Sequence, residues 1–176
     1  MGRQKVQIFH AGDLSTLWNI QNRNTLYTLL KRYTQRKILF RIYKGLYSLL
    51  DPDQIDPRIL GLKAIHQYAY VSTETVLAEA GIIPQIVWHT TLVSSRSLKF
   101  KIGNHSIISR RLQDRFLFHP AGIFERNGIP TASLERAAAD LLYFNPKVDL
   151  AGRKLIDFGK VTAIQNQVGF PVRESR

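Results

Sequence analysis

The stretch that most restricts the fold of this chain is residues 22–47, NRNTLYTLLKRYTQRKILFRIYKGLY. Leu26, Leu29, Leu30 and Tyr33 recur at i, i+3, i+4 and i+7, the spacing of one face of an α-helix. The opposite face carries Arg23, Asn24, Tyr27, Thr28, Lys31 and Arg32. The helix is predicted to end near Arg36 or Lys37. Ile38 to Ile42 then alternates loosely, and Lys44-Gly45 offers a turn before Leu46 to Leu50. A helix with a hydrogen-bonding face, followed by a basic hairpin, is the arrangement of a recognition helix and wing. Upstream, residues 6–9 (VQIF) suit a short strand. Asp13 suits an N-cap for a helix near 14–19, striped by Leu14, Leu17 and Trp18. Ile20-Gln21-Asn22 has the length of a helix-turn-helix connection, with Asn22 capping the next helix and Thr25 three residues on.

The charge distribution points the same way. The formal charge is +12 over 176 residues. Residues 1–50 hold nine Lys/Arg (Arg3, Lys5, Arg23, Lys31, Arg32, Arg36, Lys37, Arg41, Lys44) against one acid, Asp13. Eight of the twelve excess charges therefore sit in the first fifty residues. Each phosphate neutralised by such a face releases condensed counterions, so a polyanion is the natural partner. The plainer reading is that net charge only keeps the chain soluble.

Residues 51–58, DPDQIDPR, contain two prolines and three aspartates and mark the expected boundary between a domain over 1–50 and one over 51–176. Asp56-Pro57 suits a helix start, with Ile59, Leu60, Lys63, Ala64 and His66 following on a helix that ends near Gln67. Tyr68 to Val71 suits a strand. Ser72 is the expected cap of a helix over TETVLAEA, stopped by Gly81. Pro84 begins an extended section, and Ile86 to Val93 is strongly β-prone. Gly103-Asn104 and Asn127-Gly128 are two-residue hairpin turns between β-prone runs. Arg115 to His119 suits one more short strand. Ser133 suits the cap of LERAAADLLYF, whose stripe is Leu134, Ala137, Ala138, Leu141 and Leu142. A last helix is expected near Asp157 to Gln167. The fold class expected is α+β: an N-terminal winged helix-turn-helix followed by a small α/β domain with a mainly antiparallel sheet.

Other chemistries find little support. There is no apolar run long enough for a membrane span, and residues 1–14 lack a signal-peptide core, so a cytoplasmic location is expected. The absence of cysteine rules out disulfides and thiolate metal sites. His10, His66, His89, His105 and His119 have no metal spacing, and there is no P-loop or G-x-S-x-G. Arg136 and Asp140, four apart, read as an ordinary surface or packing pair. No cofactor and no catalysis are expected. Lys99, Lys101, Arg110, Arg111 and Arg115 form either a second surface for DNA or an acidic partner, or the wet face of a half-buried sheet.

The candidate DNA-contacting residues are Arg23, Asn24, Thr25, Tyr27, Thr28, Lys31, Arg32, Arg36, Lys37, Arg41, Tyr43 and Lys44. Arg bonds guanine O6 and N7 in pairs, and Asn does the same with adenine N6 and N7. Lys31, Arg32, Arg36 and Lys37 are better placed for phosphates, and Arg41 and Lys44 for the backbone or minor groove. Alternatives are a stand-alone DNA-binding regulator, an RNA-binding protein and a nuclease.

Three phrases carry a family resemblance: Arg41-Ile-Tyr-Lys-Gly-Leu-Tyr47, Tyr70-Val-Ser-Thr-Glu-Thr-Val-Leu77 and IPTASLERAAADLL over Ile129 to Leu142. In this order and spacing they resemble the AbiEi antitoxin family, transcriptional regulators of bacterial type IV toxin–antitoxin systems. In the third phrase Ser133-Leu-Glu-Arg136 replaces the family's usual acidic helix start. The resemblance implies an N-terminal winged helix on operator DNA. It also implies a C-terminal α/β domain involved in neutralising a nucleotidyltransferase-like toxin and in spacing DNA-binding units.

Overall fold

The computed structural model describes residues 8–83, 87–148, 150 and 152–171. Val6 and Gln7 of the first expected strand, Pro84 and Ile86 of the extended section, and the tail from Val172 lie outside the described residues. Five elements open the chain: β1 (Ile8–His10), α1 (Ala11–Leu17), α2 (Arg23–Gln35), β2 (Phe40–Tyr43) and β3 (Leu46–Ser48). β3 lies between β1 and β2 and runs antiparallel to both. Leu26 and Leu30 of α2 bury against Ala11, Leu14, Leu39 and Tyr47, with Trp18 and Tyr33 packed alongside. Gly45 takes φ +69° in the β2–β3 turn, a conformation glycine adopts without steric cost.

The start of α1 differs from expectation. His10, not Asp13, is the N-cap residue. Asp13 lies in the first turn, where its Oδ2 accepts from the His10 backbone N–H at 2.9 Å. This is the reaching-back half of a capping box, performed by an acid three residues inside the helix. Leu17 ends the helix and is 69% exposed, so it does not extend the buried stripe. Trp18 instead meets Tyr33 edge-on at 5.6 Å.

The remaining elements are α3 (Pro57–Ile65), β4 (Ala69–Val71), α4 (Glu74–Glu79), β5 (His89–Ser94), β6 (Leu98–Ile102), β7 (His105–Arg111), α5 (Asp114–Leu117), β8 (Ile123–Arg126), β9 (Ile129–Ala132), α6 (Leu134–Phe144) and α7 (Phe158–Val168). Six strands form a second sheet in the order β6-β7-β5-β4-β9-β8. Among the described residues the chain is thus a mixed α+β protein with seven α-helices and two sheets, mostly antiparallel. Two pairings, β5 with β7 and β4 with β9, are parallel. The hairpin turns fall where the sequence put them: Asn127 and Gly128 take φ +56° and +80°, the pair of positive values a type I′ turn needs.

Two local expectations fail in this half. Arg115 to His119 is not a strand; α5 occupies it. Phe116 and Leu117 are neighbours and both buried, which one helical turn allows and strand alternation does not. Ser72 does not cap α4. Thr73 holds the cap position at φ +51°, strained for a β-branched residue, while the Ser72 hydroxyl donates to Asp140 Oδ2 at 2.7 Å.

Core packing ties the halves together. One face of the large sheet packs on α4, α6 and α7 through Tyr70, Leu77, Val93, Phe116, Ala138 and Leu141. The other face packs on α3, and also on Ile42 and Leu46 of the β2–β3 hairpin. Gly61 lets α3 lie close; a Cβ there would sit 2.7 Å from Leu92 Cδ1. Asp53 adds a clasp, accepting from the Asn104 backbone N–H at 2.8 Å and from its Nδ2 at 2.7 Å.

Of the two readings of Arg136 and Asp140, a surface pair or a packing pair, the structure shows the packing pair. Both are fully buried, with Arg136 Nε donating to Asp140 Oδ1 at 2.9 Å. The guanidinium also donates to the carbonyls of Phe116, His119 and Ala121 and to the Tyr70 hydroxyl, which in turn donates to Asp140 Oδ2. Burial opposes the charge on Arg136, but Asp140 and Tyr70 outweigh it and its pKa lies above the ordinary value. Burial likewise pushes the Tyr70 phenol up. The network joins α6, β4, the residue after β4, and the connection from α5 to β8.

Candidate nucleic-acid interface

The start of α2 is fixed by the residue just before it, its N-cap Asn22. Asn22 Oδ1 accepts from the backbone N–H groups of Asn24 and Thr25, at 2.9 and 3.2 Å. This satisfies two of the four orphan donors of the first turn. With Leu26 and Leu30 held inward, the outer face follows from the 3.6-residue period. Arg23, Asn24, Thr25, Tyr27, Thr28, Lys31 and Arg32 are all exposed, as are Arg36 and Lys37 just past the helix end. Lys37 takes φ +55°, which turns the chain sharply toward β2. The Thr28 hydroxyl is engaged within the helix, donating to the Asn24 carbonyl at 2.8 Å.

The hairpin completes the surface. Arg41 and Lys44 are exposed, and together with Tyr27, Lys31, Thr34, Gly45 and Tyr47 they line a concavity of about 440 Å³ between α2 and the hairpin. Its lining has three cations, three side-chain hydroxyls and no acid. Tyr47 is buried, and burial pushes its phenol up although Arg41 acts the other way. Among the described residues, Arg23, Lys31, Arg32, Arg36, Lys37, Arg41 and Lys44 form no salt bridge. Seven exposed cations without a salt-bridge partner among the described residues make this part of the molecule strongly basic.

Tyr43 departs from the expected set. It is half-buried, with its ring 5.0 Å from that of Phe100 on β6. A register shift between Arg41 and Tyr43 in the β2–β3 ladder separates their directions, so Arg41 lines the concavity while Tyr43 packs on the large sheet. Thr34 and Tyr47 were not singled out from sequence. Tyr27, Lys31 and Thr34 fall at i, i+4 and i+7, and that spacing was the available signal for Thr34. Tyr47 is the cross-strand partner of Arg41, which only the register reveals.

The second basic set is divided: the register puts Lys99, Lys101 and Arg110 on one face of the β6–β7 pair and Arg111 on the other. Lys99, Lys101 and Arg111 are exposed on strands, Arg110 is ion-paired with Glu74, and Arg115 lies on α5 over the Phe116 ring at 4.4 Å. Among the described residues there is no group of three or more His, Asp or Glu side chains placed to hold a metal ion, and no helix is long and apolar enough to cross a membrane. Comparison with known protein families and with curated proteins finds no match to this chain.

Proposed function

We propose that this protein is a sequence-specific double-stranded DNA-binding transcriptional regulator, acting as a repressor on its own operator. In this reading β1, α1, α2, β2 and β3 are a winged helix-turn-helix, with α2 as recognition helix and the β2–β3 hairpin as wing. The observation that carries it is the unpaired cationic and amide-bearing face of α2, continued by Arg41 and Lys44. The first turns of a recognition helix enter the major groove, which puts Arg23 and Asn24 at base edges. Lys31, Arg32, Arg36, Lys37 and the hairpin cations then meet phosphates, which fix register rather than sequence.

The resemblance to AbiEi antitoxins extends the proposal: the regulator is the antitoxin of a type IV toxin–antitoxin system and counters a nucleotidyltransferase-like toxin. A gel shift on the DNA upstream of its own coding sequence tests the DNA reading, with competition by unrelated duplex and by structured RNA at fixed salt. Retention against unrelated duplex and RNA is the expected result. Equal competition by RNA contradicts it. Restored growth on co-expression with the neighbouring toxin tests the antitoxin role separately.

A further inference from the structure

A second cavity lies at the end of the large sheet, where β5 and β7 begin. Its volume is about 430 Å³, and it is lined by residues of α3, α4, the β6–β7 turn and the segment entering β5. None of its lining comes from the first fifty-six residues, so it is built independently of the α2 face. Trp88 stands at it with 82% of its surface exposed. A tryptophan left this open is unusual, because its ring contributes strongly to burial wherever it packs.

The polar groups around the cavity divide into those already used and those still open. Both Glu79 oxygens are engaged, by Arg58 at 3.0 Å and by Arg126 at 3.2 Å, so the carboxylate is neutralised. Asn104 donates its backbone N–H and its Nδ2 to Asp53. Thr75 Oγ1 accepts from the Thr91 backbone N–H at 2.7 Å, which leaves its own proton to donate. His105 Nε2 is buried and has no hydrogen-bond partner among the described residues. A buried ring nitrogen without a protein partner is costly, so a hydrogen-bonding group brought to it gains more there than at a solvated one. His105 can donate or accept there according to its tautomer.

We infer that this cavity binds a nucleobase, stacked on Trp88 with its polar edge toward His105 and Thr75. A flat heteroaromatic ring has the two properties the cavity asks for. It offers a face to the indole and both donors and acceptors to an imidazole and a hydroxyl. A metal ion fits less well: among the described residues no three His, Asp or Glu side chains are placed together to hold one. The base can come from a free nucleotide or from an unpaired residue of a strand; the recognition chemistry is shared.

Calorimetric titration of the full chain with adenosine monophosphate, and separately with a single-stranded deoxyadenosine oligonucleotide, tests this. The expected result is saturable binding that weakens roughly tenfold or more in Trp88→Ala, the loss typical of removing one stacked base contact. Trp88→Phe, which keeps an aromatic plate, is expected to retain most of it. Because Trp88 is exposed, an unchanged melting temperature certifies the fold of both variants. Binding of the monophosphate identifies a free nucleotide as a sufficient ligand. Trp88-dependent binding of the oligonucleotide alone places the base in a strand. Absence of saturation with both probes, or identical affinities for the wild type and Trp88→Ala, overturns the inference.

Discussion

At the residue scale, the proposed interface separates two kinds of side chain. Arg23 and Asn24 lie in the first turn of α2, and Lys31 and Arg36 lie further along it and past its end. Arg23→Ala or Asn24→Ala is expected to lower affinity for the operator roughly ten- to a hundredfold while barely changing affinity for random duplex. Lys31→Ala or Arg36→Ala is expected to weaken all sequences alike and to flatten the salt dependence by roughly one unit. Fluorescence anisotropy on operator and scrambled duplexes over a salt series measures both. Equal losses on both duplexes for all four variants contradict this division. A second residue-scale effect comes from His10 and His66, whose rings lie 3.9 Å apart between the α1 cap and the end of α3. Burial lowers the His10 pKa, His66 and Lys63 lower it further, and Asp13 opposes them. The unfolded chain therefore binds this proton more readily than the folded one. Stability is full above the ordinary imidazole value of about 6.5 and declines as pH falls through it toward the lower folded value. His10→Phe is expected to flatten urea-derived stability between about pH 7.5 and 5.5; an unchanged slope contradicts the assignment.

At the element scale, what was legible in the sequence is what short-range spacing dictates. Asn22, Leu26 and Leu30 fix α2 because capping and the helical period act within one or two turns. Asn127-Gly128 fixes a turn because two adjacent residues must both accept positive φ. What escaped is set by partners far along the chain. Asp140 meets Tyr70 and Ser72, which lie 70 and 68 residues away. No local pattern tells that its charge is buried, and a helical Arg–Asp pair four apart is open to both a surface and a packing reading. Ser72 has the local pattern of a cap for the same reason, although its hydroxyl is drawn to Asp140 on α6. The parallel pairings of β5 with β7 and of β4 with β9 are equally non-local. Asp140→Ala leaves a guanidinium buried without its counter-charge and is expected to cost about 3–5 kcal/mol. Urea denaturation measures this; a loss below about 1 kcal/mol, the worth of an exposed pair, contradicts the network's role.

For the whole molecule, the boundary read at residues 51–58 coincides with a change of composition but not with a gap in packing. Ile42 and Leu46 share a cluster with Leu60, Leu92 and Ile107, Tyr43 packs on Phe100, and Asp53 clasps Asn104. The α2 face is thereby carried on a hairpin anchored to the large sheet, which favours a fixed presentation over a tethered one. A single cooperative unfolding transition, seen alike by tryptophan emission and far-UV circular dichroism, is the expected behaviour; two separated transitions contradict it. In the proposed reading the outer flank of α2 and the hairpin turn hold the nucleic acid. Mapping amide chemical-shift changes on addition of operator duplex tests it most directly. The expected changes cluster at residues 23–37 and 41–45, with the large sheet nearly silent; changes confined to the sheet, with α2 unmoved, would contradict the account.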